Sequence, residues 1–120
     1  SQWEAGVAVG ELVDPASVIK PLTEKEFLAQ ILELLTLNGW LLVDHQFEQA
    51  HYAKRTSKGR PDILAIRAPR VLFAEIKSEK GKLSPHQKLW LMELEQCPGV
   101  EVYCWRPSMW DDIVRVLQGA

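Results

Sequence analysis

Residues 61–77, PDILAIRAPRVLFAEIK, are the stretch whose reading decides the fold. Two apolar runs, 63–66 and 71–74, flank the short polar break Arg67-Ala68-Pro69-Arg70. Runs of this kind around such a break read as an antiparallel hairpin. With Ala68 and Pro69 as the loop, Arg67 faces Arg70, and counting outward sets Asp62 opposite Glu75. Directly opposed residues share a sheet face with Cβ atoms about 4.5–5.5 Å apart, so the two carboxylates should converge. Lys77 lies two residues beyond Glu75, and strand alternation turns it to that same face.

Opposed carboxylates repel, and neither strand propensity nor packing accounts for them. A divalent cation does, because hard ions such as magnesium take one or two carboxylates together with water and phosphate oxygens. A neighbouring lysine could then hold or deprotonate an attacking water, or steady charge developing on phosphorus. The other reading of the trio is a solvated pair of acids with Lys77 as their ion-pair partner.

A chain of 120 residues is long enough for one domain with a single core. Its 47% hydrophobic and 25% charged residues are those of an ordinary globular protein rather than a disordered one. No apolar run approaches the roughly twenty residues of a membrane span, and no basic-then-apolar leader stands at the start. A cytoplasmic protein with no membrane contact is therefore expected. Cys97 and Cys104 lack CxxC spacing and read as reduced thiols that fill space.

The net charge of −2 conceals an asymmetry. Between residues 54 and 88 there are ten basic residues against three acids, a local +7 that fits a phosphate-facing side. For any single lysine, solvation of a loop is the simpler account. The clustering around Asp62 and Glu75 is what the simpler account leaves out.

Residues 1–22 hold Gly6, Gly10, Pro15 and Pro21 without a sustained period and read as an N-terminal arm, the domain proper being expected over 23–118. Thr23-Glu24-Lys25-Glu26 has capping-box spacing, and Phe27, Leu28, Ile31, Leu32, Leu34 and Leu35 continue a helix until Asn38-Gly39 stops it. Glu26 belongs to the polar face. Glu24 precedes Phe27, Leu28 and Ile31 by three, four and seven, which aligns it with the buried stripe and points it toward the sheet. A favourable helix-dipole position explains Glu24 equally well.

Residues 40–46 predict a first strand, ending near His45. The polar connection 47–60, with His51, Tyr52, Lys54, Arg55, Lys58 and Arg60, delivers positive charge just before Asp62. After Lys77, the segment SEKGK carries Lys80 and Lys82 through a turn. Ser84-Pro85-His86-Gln87 then opens a second helix with box spacing and proline at its first position. Its stripe is Trp90, Leu91 and Leu94, with Gln87 on the inward edge. Pro98-Gly99 ends it, residues 100–105 form a fourth strand, and Ser108 should cap a last helix anchored by Met109, Trp110, Ile113, Val114 and Leu117.

Pro61-Asp62, twelve intervening residues and Glu75-Ile76-Lys77 resemble the PD-(D/E)xK signature of metal-dependent nucleases. The surrounding GRPDILAI, LFAEIKSEKGKLSPHQKLWLMEL and EVYCWRP are similar to its VRR-NUC branch, the virus-type replication and repair nucleases, over about residues 23–117. The order αβββαβα matches that superfamily's restriction-endonuclease-like α/β core, a mixed central sheet flanked by helices. The resemblance implies that Glu24, Asp62, Glu75 and the main-chain carbonyl of Ile76 hold one or two Mg2+ ions, with Mn2+ as substitute, while Lys77 assists at the water.

It also implies that Gln87 orients Lys77 or its water, where closing the helix cap is the plainer role. His45 would contact phosphate or position water, unless it is simply a surface histidine. Lys54, Arg55, Lys58, Arg60, Lys80 and Lys82 are expected on the DNA backbone, with Tyr52 as a stacking group. Stand-alone relatives resemble Holliday-junction resolvases that act as symmetric dimers, so a homodimeric, Mg2+-dependent endonuclease for branched DNA in a bacterial or phage-infected cell is expected. A nicking or flap-cutting nuclease with partner proteins, an inactive DNA-binding module and a metal-free interaction protein remain as alternatives.

Overall fold

The computed structural model describes residues 22–46 and 58–120. Helix α1 (Glu24–Leu37) starts with the reciprocal cap that its sequence predicts. Thr23 Oγ1 accepts the Glu26 backbone N–H at 3.1 Å, and Glu26 Oε1 accepts the Thr23 N–H at 2.9 Å. Phe27, Leu28, Ile31 and Leu35 form its buried stripe. The helix ends at Asn38, and Gly39 turns the chain at a φ of +83° that side-chain-bearing residues seldom adopt.

Strand β1 (Leu42–His45) is shorter than the predicted 40–46. Trp40 is fully buried and does not extend β1: its indole N–H donates to the Leu117 carbonyl at 3.0 Å. Strands β2 (Ile63–Arg67) and β3 (Arg70–Ile76) form the hairpin in the counted register, with Arg67 opposite Arg70 and Ile63 opposite Ala74. Helix α2 (Pro85–Glu95) leads into β4 (Val100–Trp105), which pairs parallel to β3. A single 3-10 turn, Pro107–Met109, precedes helix α3 (Trp110–Gln118).

Among the described residues the sheet order is β1-β2-β3-β4, antiparallel except for the last pair. This is the αβββαβα arrangement of a mixed sheet flanked by helices. Ile63, Ala65, Leu72, Ala74 and Ile76 face one way and join the core formed with α1, α3 and Trp105. Alternation therefore turns Asp62 and Glu75 to the opposite face. No helix among the described residues is long and apolar enough to cross a membrane.

Several local expectations are corrected. Ser108 does not cap α3, whose N-cap is Met109; instead its N–H and hydroxyl both donate to the Glu79 carboxylate, at 2.9 and 2.7 Å. The α2 stripe is not a core stripe: Trp90, Leu91 and Leu94 are half-buried, and no residue of the helix is fully enclosed. Cys97 stands exposed rather than filling space.

The positive patch is also narrower than the charge count suggests. Arg67 donates to the Asn38 and Leu117 carbonyls at 2.7 and 3.1 Å and to that of Gly119, while Arg70 donates to Val116 and Gly119, both at 2.9 Å. Arg70 also grips Glu101 with two bonds of 2.7 and 2.6 Å. Both guanidinium groups lie over the Trp40 ring, 4.7 and 4.8 Å from its centroid. These two cations neutralise the carbonyl end of α3, at the turn end of the hairpin away from Asp62 and Glu75.

Candidate active site

The hairpin register brings Asp62 and Glu75 to neighbouring positions where β2 begins and β3 ends. Asp62 Oδ2 accepts the Ile76 backbone N–H at 2.8 Å, which locks one carboxylate to the opposing strand. Glu75 is only 2% exposed, an unusual place for an acid. Its Oε2 accepts from Gln87 Nε2 at 3.1 Å, but its Oε1 is buried without a hydrogen-bond partner among the described residues.

Burial, then the charge of Asp62 and a hydrogen bond shared with it, push the Glu75 carboxyl up to about 9. Burial also raises Asp62, although the Ile76 N–H and the bond with Glu75 work against the rise. Two carboxyl groups this close cannot both ionise cheaply, so the metal-free pair shares a proton.

Glu24, in the first turn of α1, approaches from the layer on the other side of the sheet. Its Oε1 lies 3.8 Å from Lys77 Nζ, and the Lys77 side chain is 11% exposed. Both reach the charged pair electrostatically, Glu24 raising and Lys77 lowering the proton affinity of Asp62 and Glu75. Among the described residues, no three His, Cys, Asp or Glu side chains are already arranged as a metal cage. The donor chemistry nevertheless suits a hard cation. An enclosed carboxylate oxygen, unsatisfied among the described residues and beside a second carboxylate, has the chemistry that would let a positive ion take the place of a shared proton.

Gln87 carries out two tasks at once. Its Oε1 accepts the Ser84 N–H at 2.8 Å in the capping box while its Nε2 holds Glu75, so the contact it makes is with the carboxylate rather than with Lys77. His45 pairs with the core-facing Ile63, which turns it to the sheet face opposite Asp62 and Glu75, and it is exposed there. Arg60 is bound to Asp44 at 2.8 Å, an anchor that sequence reasoning missed. Alternation along β1 places Asp44 on the same face as Leu64 and hence Asp62, and only the register reveals it. Lys58, Lys80 and Lys82 are exposed or at the surface of the connections around the site, whereas Lys54, Arg55 and Tyr52 lie outside the described residues.

The VRR-NUC domain model matches residues 10–107, most of the chain, including all of β1 to β4. The chain belongs to the VRR-NUC family. The match begins at residue 10, ahead of the domain start expected at residue 23, and residues 1–21 lie outside those described. A solved VRR_NUC domain protein superposes with a TM-score of 0.54 over 82% of this chain and 88% of its own, at 18% identity. At that identity the likeness speaks for the fold alone. No curated protein sequence matches the chain. VRR-NUC membership makes the domain a nuclease of the PD-(D/E)xK superfamily, whose members generally use divalent metals, and DNA is the substrate that a nuclease domain implies.

Proposed function

We propose that this VRR-NUC domain, over residues 23–118, is a Mg2+-dependent endonuclease that hydrolyses phosphodiester bonds in branched DNA. The observation that carries the reading is the buried Glu75 carboxylate beside half-buried Asp62, with Glu75 Oε1 unsatisfied among the described residues and Lys77 alongside. Glu24, Asp62, Glu75 and the Ile76 carbonyl are the ligands assigned to one or two Mg2+ ions, with Mn2+ as substitute. A bound divalent ion supplies positive charge at the phosphoryl oxygens and a more acidic water.

The remaining chemistry falls to the chain itself. Glu75 must lose the proton it shares with Asp62 before it can act as a ligand. Gln87 keeps its Oε2 in place while that happens. The Lys77 ammonium, drawn toward Glu24, is assigned to hold an attacking water or to offset charge as phosphorus becomes five-coordinate. Lys58, Arg60, Lys80 and Lys82, with Lys54 and Arg55, are assigned to the DNA backbone, and His45 to a phosphate farther from the reacting centre.

A junction resolvase must cut two strands at a fixed separation, and one chain provides one such site, so a symmetric homodimer is the form assigned to it. The test is cleavage of labelled four-way junction, flap and linear duplex with and without Mg2+ or Mn2+. Metal-dependent incision of the junction, lost in Glu75→Ala and Lys77→Ala while both remain folded, supports the reading. Preference for a flap would instead favour a flap nuclease, and binding without incision of any substrate would favour an inactive DNA-binding module.

A further inference from the structure

Beyond Lys77 the chain turns through residues 78–81, where the Gly81 N–H donates to the Ser78 carbonyl at 3.2 Å. The carbonyl oxygens of Ser78, Glu79 and Gly81 all converge on Arg106 Nη1, at 2.7, 3.2 and 2.7 Å. Arg106 is 8% exposed, too enclosed to lie on a DNA backbone. A buried guanidinium is costly unless its charge is met, and here main-chain dipoles help to meet it. Two residues on, Ser108 holds the Glu79 carboxylate through both its N–H and its hydroxyl. The start of the β4–α3 connection thus grips the turn in two places.

The turn is pressed against the site. A Cβ at Gly81 would stand 2.9 Å from Ser78 Oγ, 3.4 Å from Lys77 Cδ and 3.6 Å from Glu24 Oε1. Gly81 therefore lies one methyl group away from the Lys77 stem and the Glu24 carboxylate, so the placing of this turn sets the space beside both, and a side chain there would first displace the Ser78 hydroxyl. The root of Lys77 is fixed from the same direction, because its N–H donates to the carbonyl of Trp105, the residue before Arg106.

The geometry points to Arg106 as a positioning residue for Lys77 and Glu24, acting through the three carbonyls of the 78–81 turn; this rests on the nuclease reading above. By gathering those carbonyls it holds Gly81 in place and keeps the Lys77 ammonium from swinging away from Asp62 and Glu75. A displacement of the order of 1 Å at such a group costs a rate of roughly a hundredfold.

Arg106→Ala and Arg106→Lys test this with the full chain. In Arg106→Ala, kcat should fall roughly a hundredfold while KM for DNA stays unchanged, since the residue touches no substrate. Methylguanidinium, well below denaturing concentrations, should restore much of kcat to Arg106→Ala and none to Lys77→Ala. Arg106→Lys keeps a cation among the carbonyls, is the variant to use if the alanine form does not fold, and should fall between the two.

A rise in KM with kcat intact, or equal rescue of Lys77→Ala, would overturn the assignment. If the wild-type protein cleaves no DNA, it is the nuclease reading that fails. The positioning is then decided by NMR on metal-free protein: the Lys77 side-chain resonances should shift and the Gly81 amide exchange faster in either Arg106 variant. Unchanged spectra would overturn it.

Discussion

Gln87 donates from Nε2 to Glu75 Oε2 at 3.1 Å while its Oε1 accepts the Ser84 N–H at 2.8 Å, so one side chain ties the start of α2 to the buried carboxylate. Partners that orient a metal ligand typically matter by a factor of about 10–100 in affinity or activity. Gln87→Ala is expected to weaken divalent-ion binding by about that factor, as measured by calorimetric titration. Gln87→Glu separates the two tasks, because glutamate at this position preserves the capping box but replaces the donor facing Glu75 with a like charge. If Gln87→Glu bound metal and cleaved DNA as wild type does, the cap would be its whole role.

The protonation of Glu75 gives the second prediction. Its carboxyl lies at about 9 in the folded, metal-free protein against an ordinary 4.5, so between those values the native state binds more protons than the unfolded chain. Stability is then present at and below the ordinary carboxylate range and is lost as pH rises toward 9. Denaturant melts of metal-free protein should show this decline, and Glu75→Gln, which cannot ionise, should flatten it. Added Mg2+ should oppose the decline by favouring the ionised pair, and its binding should release a proton. Melts of wild type and Glu75→Gln with the same pH slope would refute the shared-proton account.

These relationships were legible in the sequence to different degrees, for a physical reason. Strand alternation and a two-residue loop fix a hairpin register locally, so the meeting of Asp62 with Glu75 could be counted out. Capping boxes at Thr23 and Ser84 span four residues and were equally readable. Ser108 had a proper N-cap identity, yet its bonds went to Glu79, a partner 29 residues away. Trp40 looked like the start of a strand until the C-terminal helix arrived with the Leu117 carbonyl as its acceptor. Arg67 and Arg70 counted toward a DNA-facing charge for the same reason: their carbonyl partners lie up to 52 residues away, and no local rule anticipates them.

Arg70 and the surface lysines should therefore separate in experiment. Arg70→Ala removes bonds to Glu101, Val116 and Gly119 and leaves Glu101 without its guanidinium, an expected loss of about 2 kcal/mol of stability. DNA affinity and its dependence on salt should not change. The double variant Lys80→Ala, Lys82→Ala should melt like wild type, but its plot of log affinity against log salt should be shallower, by up to about 0.9 for each duplex phosphate that is no longer neutralised. A shallower slope for Arg70→Ala would restore it to the DNA-binding surface.

Gly59 and Gly99 offer a paired test of how Asp62 is held. Both have the left-handed φ that disfavours a side chain, +84° and +80°, but they differ in the space around them. No atom of the described residues lies within 4 Å of a Cβ built at Gly99, whereas one at Gly59 would be 2.6 Å from both the backbone carbon and the Cβ of His86 in the first turn of α2. Just before it, the Lys58 carbonyl accepts the Trp90 indole N–H at 2.9 Å, so the chain that enters β2 is docked directly on α2. Gly99→Ala should cost only the backbone term of about 1 kcal/mol and leave cleavage intact. Gly59→Ala adds a collision with main-chain atoms that cannot rotate away, so either α2 or the approach to Asp62 must move. Its loss of stability should exceed that of Gly99→Ala, and cleavage should fall with it, because α2 carries Gln87 and the moving segment carries Asp62. Equal losses for the two variants in denaturant melts, with cleavage untouched, would show that the contact between Gly59 and His86 does not set the geometry of the site.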